Sequence, residues 1–263
     1  MHDRIYDGLQ YALDAIWSLP PRKAPAVNCI PNLVAHRGNT GEADAPDENT
    51  LCAFQRCAEL GVWGIELDVR WTSDNVPVVI HDDHTGRTFA APKLCIAETN
   101  FPSLRKSHPE LPCLSEVIES FGGDLHLMIE LKSETMSQKQ KNILAAQLKG
   151  LEPGIDYHLL SLNPQFLSTL ACFSIQAMMP VALTNTAWVI EQAMHYSFTC
   201  ISGHYLLLSR KKRLQLGDAG IEIGSGFIPN QSLLFRELAQ PSRWVFSNHA
   251  ALIQLNLSRL EIN

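Results

Sequence analysis

Charged side chains are missing from one long stretch of this chain. No Lys or Arg occurs from Gly150 to Ser209, and Tyr157 to Ile190 contains no Asp, Glu, Lys or Arg at all. The acids of the wider stretch are Glu152, Asp156 and Glu191. A transmembrane helix needs about 20 mostly apolar residues in a row. Asn163, Pro164, Gln165, Ser174, Gln176, Pro180, Asn185 and Thr186 break this stretch up, so it reads as a soluble core with low-charge surfaces and no transmembrane segment is expected. An excess of positive charge is also lacking. Twenty-one Lys and Arg against 27 Asp and Glu leave a net charge of −6, which argues against a basic surface for nucleic acid. The run Arg210-Lys211-Lys212-Arg213 is short and reads as a solvated face, with an anion-docking patch as the sharper alternative.

Cysteine spacing excludes more. Cys29, Cys52, Cys57, Cys95, Cys113, Cys172 and Cys200 form no C-x-x-C pair and are odd in number. Asp3, Asp7 and Asp14 interrupt any signal-peptide core. Reduced thiols in the cytoplasm are the expectation. G-x-S-x-G, G-x-x-x-x-G-K, G-x-G-x-x-G and H-E-x-x-H are all absent, which removes the common hydrolase, nucleotide and zinc templates.

What is present is 263 residues, 46% hydrophobic and 18% charged, enough for a large single core. In residues 1–30, Tyr6, Leu9, Leu13, Ile16 and Trp17 sit at helical spacing and predict a short helical extension packed on the domain. From Leu33 onward, nine short apolar runs alternate with segments of helical period, with no linker to cut the chain. The alternation predicts that residues 31–263 form one (β/α)8 TIM barrel.

Reactive side chains cluster at strand ends in the first half. Leu33-Val34-Ala35 leads into His36-Arg37, Gly64-Ile65 into Glu66-Leu67-Asp68, Val78-Val79-Ile80 into His81-Asp82, and His126–Ile129 into Glu130-Leu131-Lys132. In a parallel barrel the C-terminal strand ends meet at one mouth. Glu66 and Asp68, two apart on a strand, point to the same side. With Glu130 they make three carboxylates, a donor set that suits Mg²⁺ or Ca²⁺ better than zinc. His36 and His81 titrate in the range useful for acid and base chemistry. Arg37 and Lys132 place cations beside the carboxylates, a mixture suited to a phosphate. Each feature alone has a plainer meaning: a solvated strand end for Glu66 and Asp68, a backbone-bonded core imidazole for each His, a surface ion pair for each cation.

Together these pieces resemble the glycerophosphodiester phosphodiesterase family. The carriers are His36-Arg37-Gly38, Glu48-Asn49-Thr50 before Ala53-Phe54, the Gly61–Val69 run with its E-x-D, and His81-Asp82 followed by Arg87-Thr88. Leu111–Glu116, Glu130-Leu131-Lys132 and Ser161–Pro164 follow in order. The resemblance implies a barrel that splits glycerophosphodiesters, small-molecule substrates, into glycerol 3-phosphate and an alcohol. It implies that Glu66, Asp68 and Glu130 bind one divalent ion, that His36 and His81 are the catalytic acid/base pair, and that Arg37 and Lys132 contact the phosphate. Which His is acid and which is base stays open. The loop between His36 and Glu48-Asn49-Thr50 is longer than the family's, with Asp47 between Pro46 and Glu48. Two later places depart further: Gly226–Asn230 where W-T-V-N is usual, and Ser247-Asn248 where T-D is usual. These two bear on the substrate-facing wall, so a lysophospholipase-D-like activity is an alternative. A catalytically idle phospho-ligand barrel is another, against which the retained His pair argues. The charge-poor 150–209 side predicts a surface covered by a second subunit, as in a homodimer, or by the N-terminal helix.

Overall fold

A computed structural model describes residue 18 and residues 32–39, 41–42, 44–89 and 91–261. Most of the extension expected over 1–30 lies outside these residues. Ser18 is described: its hydroxyl accepts from Asn230 Nδ2 at 2.8 Å, and its carbonyl accepts from the Ser232 hydroxyl at 3.0 Å.

Nine strands form: β1 (Asn32–Ala35), β2 (Gly64–Trp71), β3 (Pro77–Val79), β4 (His126–Leu131), β5 (Tyr157–Ser161), β6 (Met178–Ala182), β7 (Cys200–His204), β8 (Glu222–Gly226) and β9 (Trp244–Ser247). Eight of them are parallel and close into a barrel in the order β1-β9-β8-β7-β6-β5-β4-β2, with β1 pairing β2. The fold is the expected (β/α)8 barrel. Nine helices are described: α1 (Leu51–Glu59), α2 (Phe101–Ser107), α3 (Leu114–Phe121), α4 (Gln138–Gln147), α5 (Pro164–Ser168), α6 (Thr186–Tyr196), α7 (Arg210–Asp218), α8 (Gln231–Leu238) and α9 (Ala250–Glu261).

All nine strand-like runs of the sequence are strands, but β3 is not a barrel stave. It runs antiparallel to β2, with Val69 opposite Val79 and Trp71 opposite Pro77. β2 therefore overshoots the mouth, turns, and returns as β3 toward the strand end at Asp68, whose carbonyl accepts from Ile80 N. The segment that follows folds over this hairpin around Val78, Ile80, Phe89, Ile96, Leu104 and Leu111. It contains α2, which the hydropathy pattern does not predict because Leu104 is its one buried residue. Asn100 starts that helix by accepting from Ser103 N at 2.9 Å. α5 is short and stops at Ser168. The Ser168 and Thr169 hydroxyls donate to the carbonyls of Gln165 and Phe166, a local alternative to helix propagation.

The register explains why the site sits where it does. On β2, Ile65, Leu67 and Val69 face the helix layer, where they join Phe54, Cys57 and Val117 in the outer core. Gly64, Glu66 and Asp68 alternate with them and face the barrel axis. Inside, Val34, Met128, Leu160, Met179, Cys200, Trp244 and Phe246 fill the lower layers. Glycine makes room for Phe246, since a Cβ at Gly224 would lie 2.8 Å from its Cε2. At the bottom, Trp63 stacks on His126, and His126 bonds to His158 at 2.8 Å. The plugged floor leaves only the C-terminal mouth open to ligands.

Candidate active site

His36 and Arg37 follow β1 directly, in a tight turn. Arg37 has φ 56° and Gly38 φ 72°. Gly38 is required there, because a Cβ would stand 2.6 Å from Phe54 Cδ1. The turn aims the Arg37 amide at Glu66 Oε2, 2.9 Å away, and its side chain at Glu48 (3.1 Å) and Asp68 (3.4 Å). Asn49, also left-handed at φ 59°, is buried between Arg37 and Asp68. Its Nδ2 donates to Asp68 Oδ2 at 2.9 Å, and its Oδ1 accepts from the Asp68 amide at 3.2 Å.

Glu66, Asp68 and Glu130 each offer a carboxylate oxygen, and these atoms lie within 4.8 Å of one another. Lys132 reaches between two of them, with Nζ 2.7 Å from Glu130 Oε1 and 2.9 Å from Asp68 Oδ1. Glu66 Oε1 is buried without a hydrogen-bond partner. An all-oxygen cluster with one unsatisfied buried oxygen fits a hard divalent cation.

The electrostatics divide the carboxylates. Burial, reinforced by Asp68 and Glu130, pushes Glu66 well above the usual carboxylate range. Burial works the same way on Asp68, but the Lys132 and Arg37 cations outweigh it and hold that carboxyl below its ordinary value. Burial also opposes charge on Lys132, and the Asp68 and Glu130 carboxylates more than compensate.

The two imidazoles are held differently. His36 Nδ1 lies 2.6 Å from Asn248 Oδ1, just past β9, while its Nε2 is 3.8 Å from Glu66 Oε2. An amide oxygen only accepts, so Nδ1 carries the proton and Nε2 keeps its lone pair. Burial, then the neighbouring Arg37 cation, lower the His36 pKa to about 4. His81 Nδ1 lies 2.7 Å from Asp82 Oδ1, and Asp82 also accepts from Arg87 Nε at 2.7 Å. Arg87 continues to Glu48 at 2.5 Å, so that Arg37, Glu48, Arg87, Asp82 and His81 form one chain of polar contacts along this side of the mouth. Burial would raise Asp82, but Arg87 and His81 bring it down to about 2.

His36, Arg37, Glu66, His81, Glu130 and Lys132 line one cavity of about 200 Å³, and Asp68 lies directly behind them. Thus all seven residues singled out in the sequence come together. Most of the opposite wall was not anticipated; only its Phe227 falls in a stretch, Gly226–Asn230, that the sequence singled out as facing the substrate. That wall is made by Leu160, Leu162, Val181, Leu183, His204, Phe227 and Phe246. Phe227 lies edge-on to His36 at 5.3 Å and beside His204 at 5.8 Å. Glu48, Asn49, Asp82, Arg87 and Asn248 were likewise not assigned roles. The first four lie within the motifs and were legible as neighbours, whereas the Asn248–His36 contact spans 212 positions and leaves no local signal.

A family model described as "Glycerophosphoryl diester phosphodiesterase family" matches residues 36–179. Rat (Rattus norvegicus) glycerophosphodiester phosphodiesterase 1 is 46% identical over 79 residues, which cover 30% of this chain and 22% of the rat protein. A glycerophosphodiester phosphodiesterase of Caldanaerobacter subterraneus is 38% identical over 112 residues, 38% of this chain and 45% of that one. The matched segment thus spans less than half of either relative. Among solved structures, an Oleispira antarctica phosphodiesterase in complex with the product sn-glycerol-3-phosphate superposes with a TM-score of 0.71 at 25% identity. It covers 87% of this chain and 97% of its own. The Thermotoga maritima glycerophosphodiester phosphodiesterase superposes with a TM-score of 0.72 at 19% identity, covering 89% and 99%, and speaks to the fold.

Proposed function

The chain belongs to the glycerophosphoryl diester phosphodiesterase family, and on that basis we propose that it hydrolyses glycerophosphodiesters to glycerol 3-phosphate and an alcohol. The observation that carries this reading is the convergence on one cavity of three carboxylates, two imidazoles and the cations Arg37 and Lys132. We assign Glu66, Asp68 and Glu130 as the ligands of one divalent ion, Mg²⁺ or Ca²⁺. Such an ion supplies Lewis-acid stabilisation of charge on the phosphoryl oxygens.

The chain's own residues supply the rest. Arg37 and Lys132 hold the non-bridging phosphate oxygens and oppose the charge that builds on them. His36, with its Nδ1 proton committed to Asn248 and its Nε2 lone pair facing the cavity, is the base that takes a proton from the nucleophile. That nucleophile is water or a neighbouring hydroxyl of the substrate's glycerol. His81, carrying its ring against the Asp82 carboxylate, is the acid that protonates the leaving alkoxide. The six described cysteines are free, which supports a reducing, cytoplasmic setting. Among the described residues, no helix is long and apolar enough to cross a membrane.

The test is release of glycerol 3-phosphate from glycerophosphocholine with Mg²⁺ or Ca²⁺ supplied, and its arrest by a chelator. His36→Ala and His81→Ala are each expected to slow turnover roughly 1,000-fold with an unchanged circular dichroism spectrum. Absence of turnover across a panel of glycerophosphodiesters overturns the reading. The apolar wall of Leu160, Leu162, Val181, Leu183 and Phe227 favours a second reading, a lysophospholipase-D-like activity. It predicts faster turnover of lysophosphatidylcholine than of glycerophosphocholine.

A further inference from the structure

Two sequence features take no part in the proposed chemistry: the charge-poor stretch and the Arg210–Arg213 run, of which Arg213 is not on a solvated face but buried and paired with Glu237. The topology brings both to one side of the mouth. In a parallel barrel, the residue after each strand and the first turn of the following helix lie at the mouth. Leu162 follows β5, Leu183 follows β6 and Phe227 follows β8, while Trp188 stands in the first turn of α6. They are 41%, 48%, 39% and 38% exposed. Arg210 and Lys211 open α7, are exposed, and make no ion pair among the described residues. From Tyr157 to Gly217 the chain has one acid, Glu191, in the middle of α6, and the next, Asp218, stands at the far end of α7 from Arg210 and Lys211. The other side of the mouth is different, because its Glu48, Asp82, Arg37 and Arg87 neutralise one another.

Exposed aromatic and aliphatic tips beside uncompensated cations are the chemistry of a surface that enters a lipid interface. The apolar tips reach the headgroup–acyl boundary, and the cations meet anionic headgroups. A second copy of the chain fits less well. A two-fold contact sets this patch against itself, opposing like cations with a single Glu191 from each copy to offset them. We propose that the β5–α7 side of the mouth docks on an anionic lipid surface, with Trp188, Leu183 and Leu162 as the inserting tips and Arg210 and Lys211 as the headgroup contacts. Docking needs neither a bound ion nor turnover. It goes beyond the hydrolytic reading, and it opens the cavity directly onto diesters held in a membrane.

The experiment is sedimentation of the full chain with vesicles of phosphatidylcholine alone and of an equal mixture with phosphatidylglycerol. The chain is expected to bind the mixed vesicles more tightly and to be released by salt. The pair Arg210→Ala and Lys211→Ala is expected to lower affinity for the mixed vesicles about 30-fold. Trp188→Ser is expected to weaken binding to both vesicle types. None of the three positions lines the cavity, so hydrolysis of a water-soluble glycerophosphodiester is expected to be unchanged in both variants. Binding persists in chelator, so failure of the hydrolytic reading leaves this result standing. The proposal is overturned by absence of binding to either vesicle, by full affinity in both variants, or by light scattering that shows a dimer with no vesicle affinity.

Discussion

Replacing His158 by Asn tests how the barrel floor is held. His126 Nδ1 lies 2.6 Å from the Ile155 carbonyl, and its Nε2 lies 2.8 Å from His158 Nδ1. The carbonyl only accepts, so His126 donates from Nδ1 and accepts at Nε2, and His158 is the donor. Both rings are therefore neutral. Burial lowers His126 to about 4, and burial together with His126 lowers His158 to about 3, from an ordinary value of 6.5. Below pH 6.5 the unfolded chain binds a proton at each His that the folded chain refuses. Stability is thus complete above pH 6.5 and falls by about 1.4 kcal/mol per pH unit per His as pH drops toward the folded values. From pH 7 to pH 5, His158 alone accounts for roughly 2 kcal/mol of lost stability. The amide nitrogen of Asn occupies the place of Nδ1, so His158→Asn keeps the donor and removes the titration. Its smaller volume costs about 1–2 kcal/mol at pH 7. Urea unfolding at pH 7 and pH 5, followed by Trp fluorescence, measures both. The wild-type chain is expected to lose roughly 2 kcal/mol more than the variant over that interval. Equal losses in the two proteins refute the neutral, one-directional His chain.

Three other perturbations have definite outcomes. Arg213, Glu237, Ser225 and Ser242 form a buried network between α7, α8 and the barrel wall, with Arg213 Nη2 2.5 Å from Glu237 Oε2. Glu237→Leu leaves that guanidinium buried without its partner and is expected to cost about 3–5 kcal/mol, and adding Arg213→Met is expected to recover most of it in the same unfolding assay. Gly38→Ala places a methyl 2.6 Å from Phe54 at φ 72° and is expected to reduce turnover through displacement of Arg37, which steady-state kinetics reads as a rise in KM. Asn248→Leu removes the acceptor of the His36 proton. We expect kcat to fall roughly 100-fold with little change in KM, and Asn248→Asp to restore it. A retained kcat in the Leu variant shows that His36 needs no such partner.

The barrel was legible because its signal is local and repeated. Runs such as Tyr157–Ser161 and Val245–Ser247 are buried on both faces, and each is followed by a helical period. The seven site residues were legible because each stands at the end of such a run, where a parallel barrel brings strand ends together. Strand direction was not legible. Pro77–Val79 has the composition of a stave, and only the overshoot of β2 turns it into a returning hairpin. α2 has too narrow an apolar face to register in hydropathy. Most of the apolar wall and the contact between Asn248 and His36 lay beyond reach for another reason. They arise through packing and register across more than a hundred residues, and Leu162 or Leu183 in isolation resembles any other apolar residue.

The antiparallel return of β3 divides the proposed proton transfers between two kinds of scaffold. His36 stands in the turn directly after a stave of the closed ring and is tied to Asn248, directly after another. His81 stands at the returning end of the β2–β3 hairpin, and the excursion that follows it, residues 82–89 and 91–113, has a small core of its own. Insertions, deletions and repacking in that excursion can re-aim the proton donor while base and carboxylates stay fixed. Divergence in which leaving alcohol is served thus has an inexpensive route. The stave-borne half holds the phosphate constant, and the hairpin-borne half is free to drift with the group that departs.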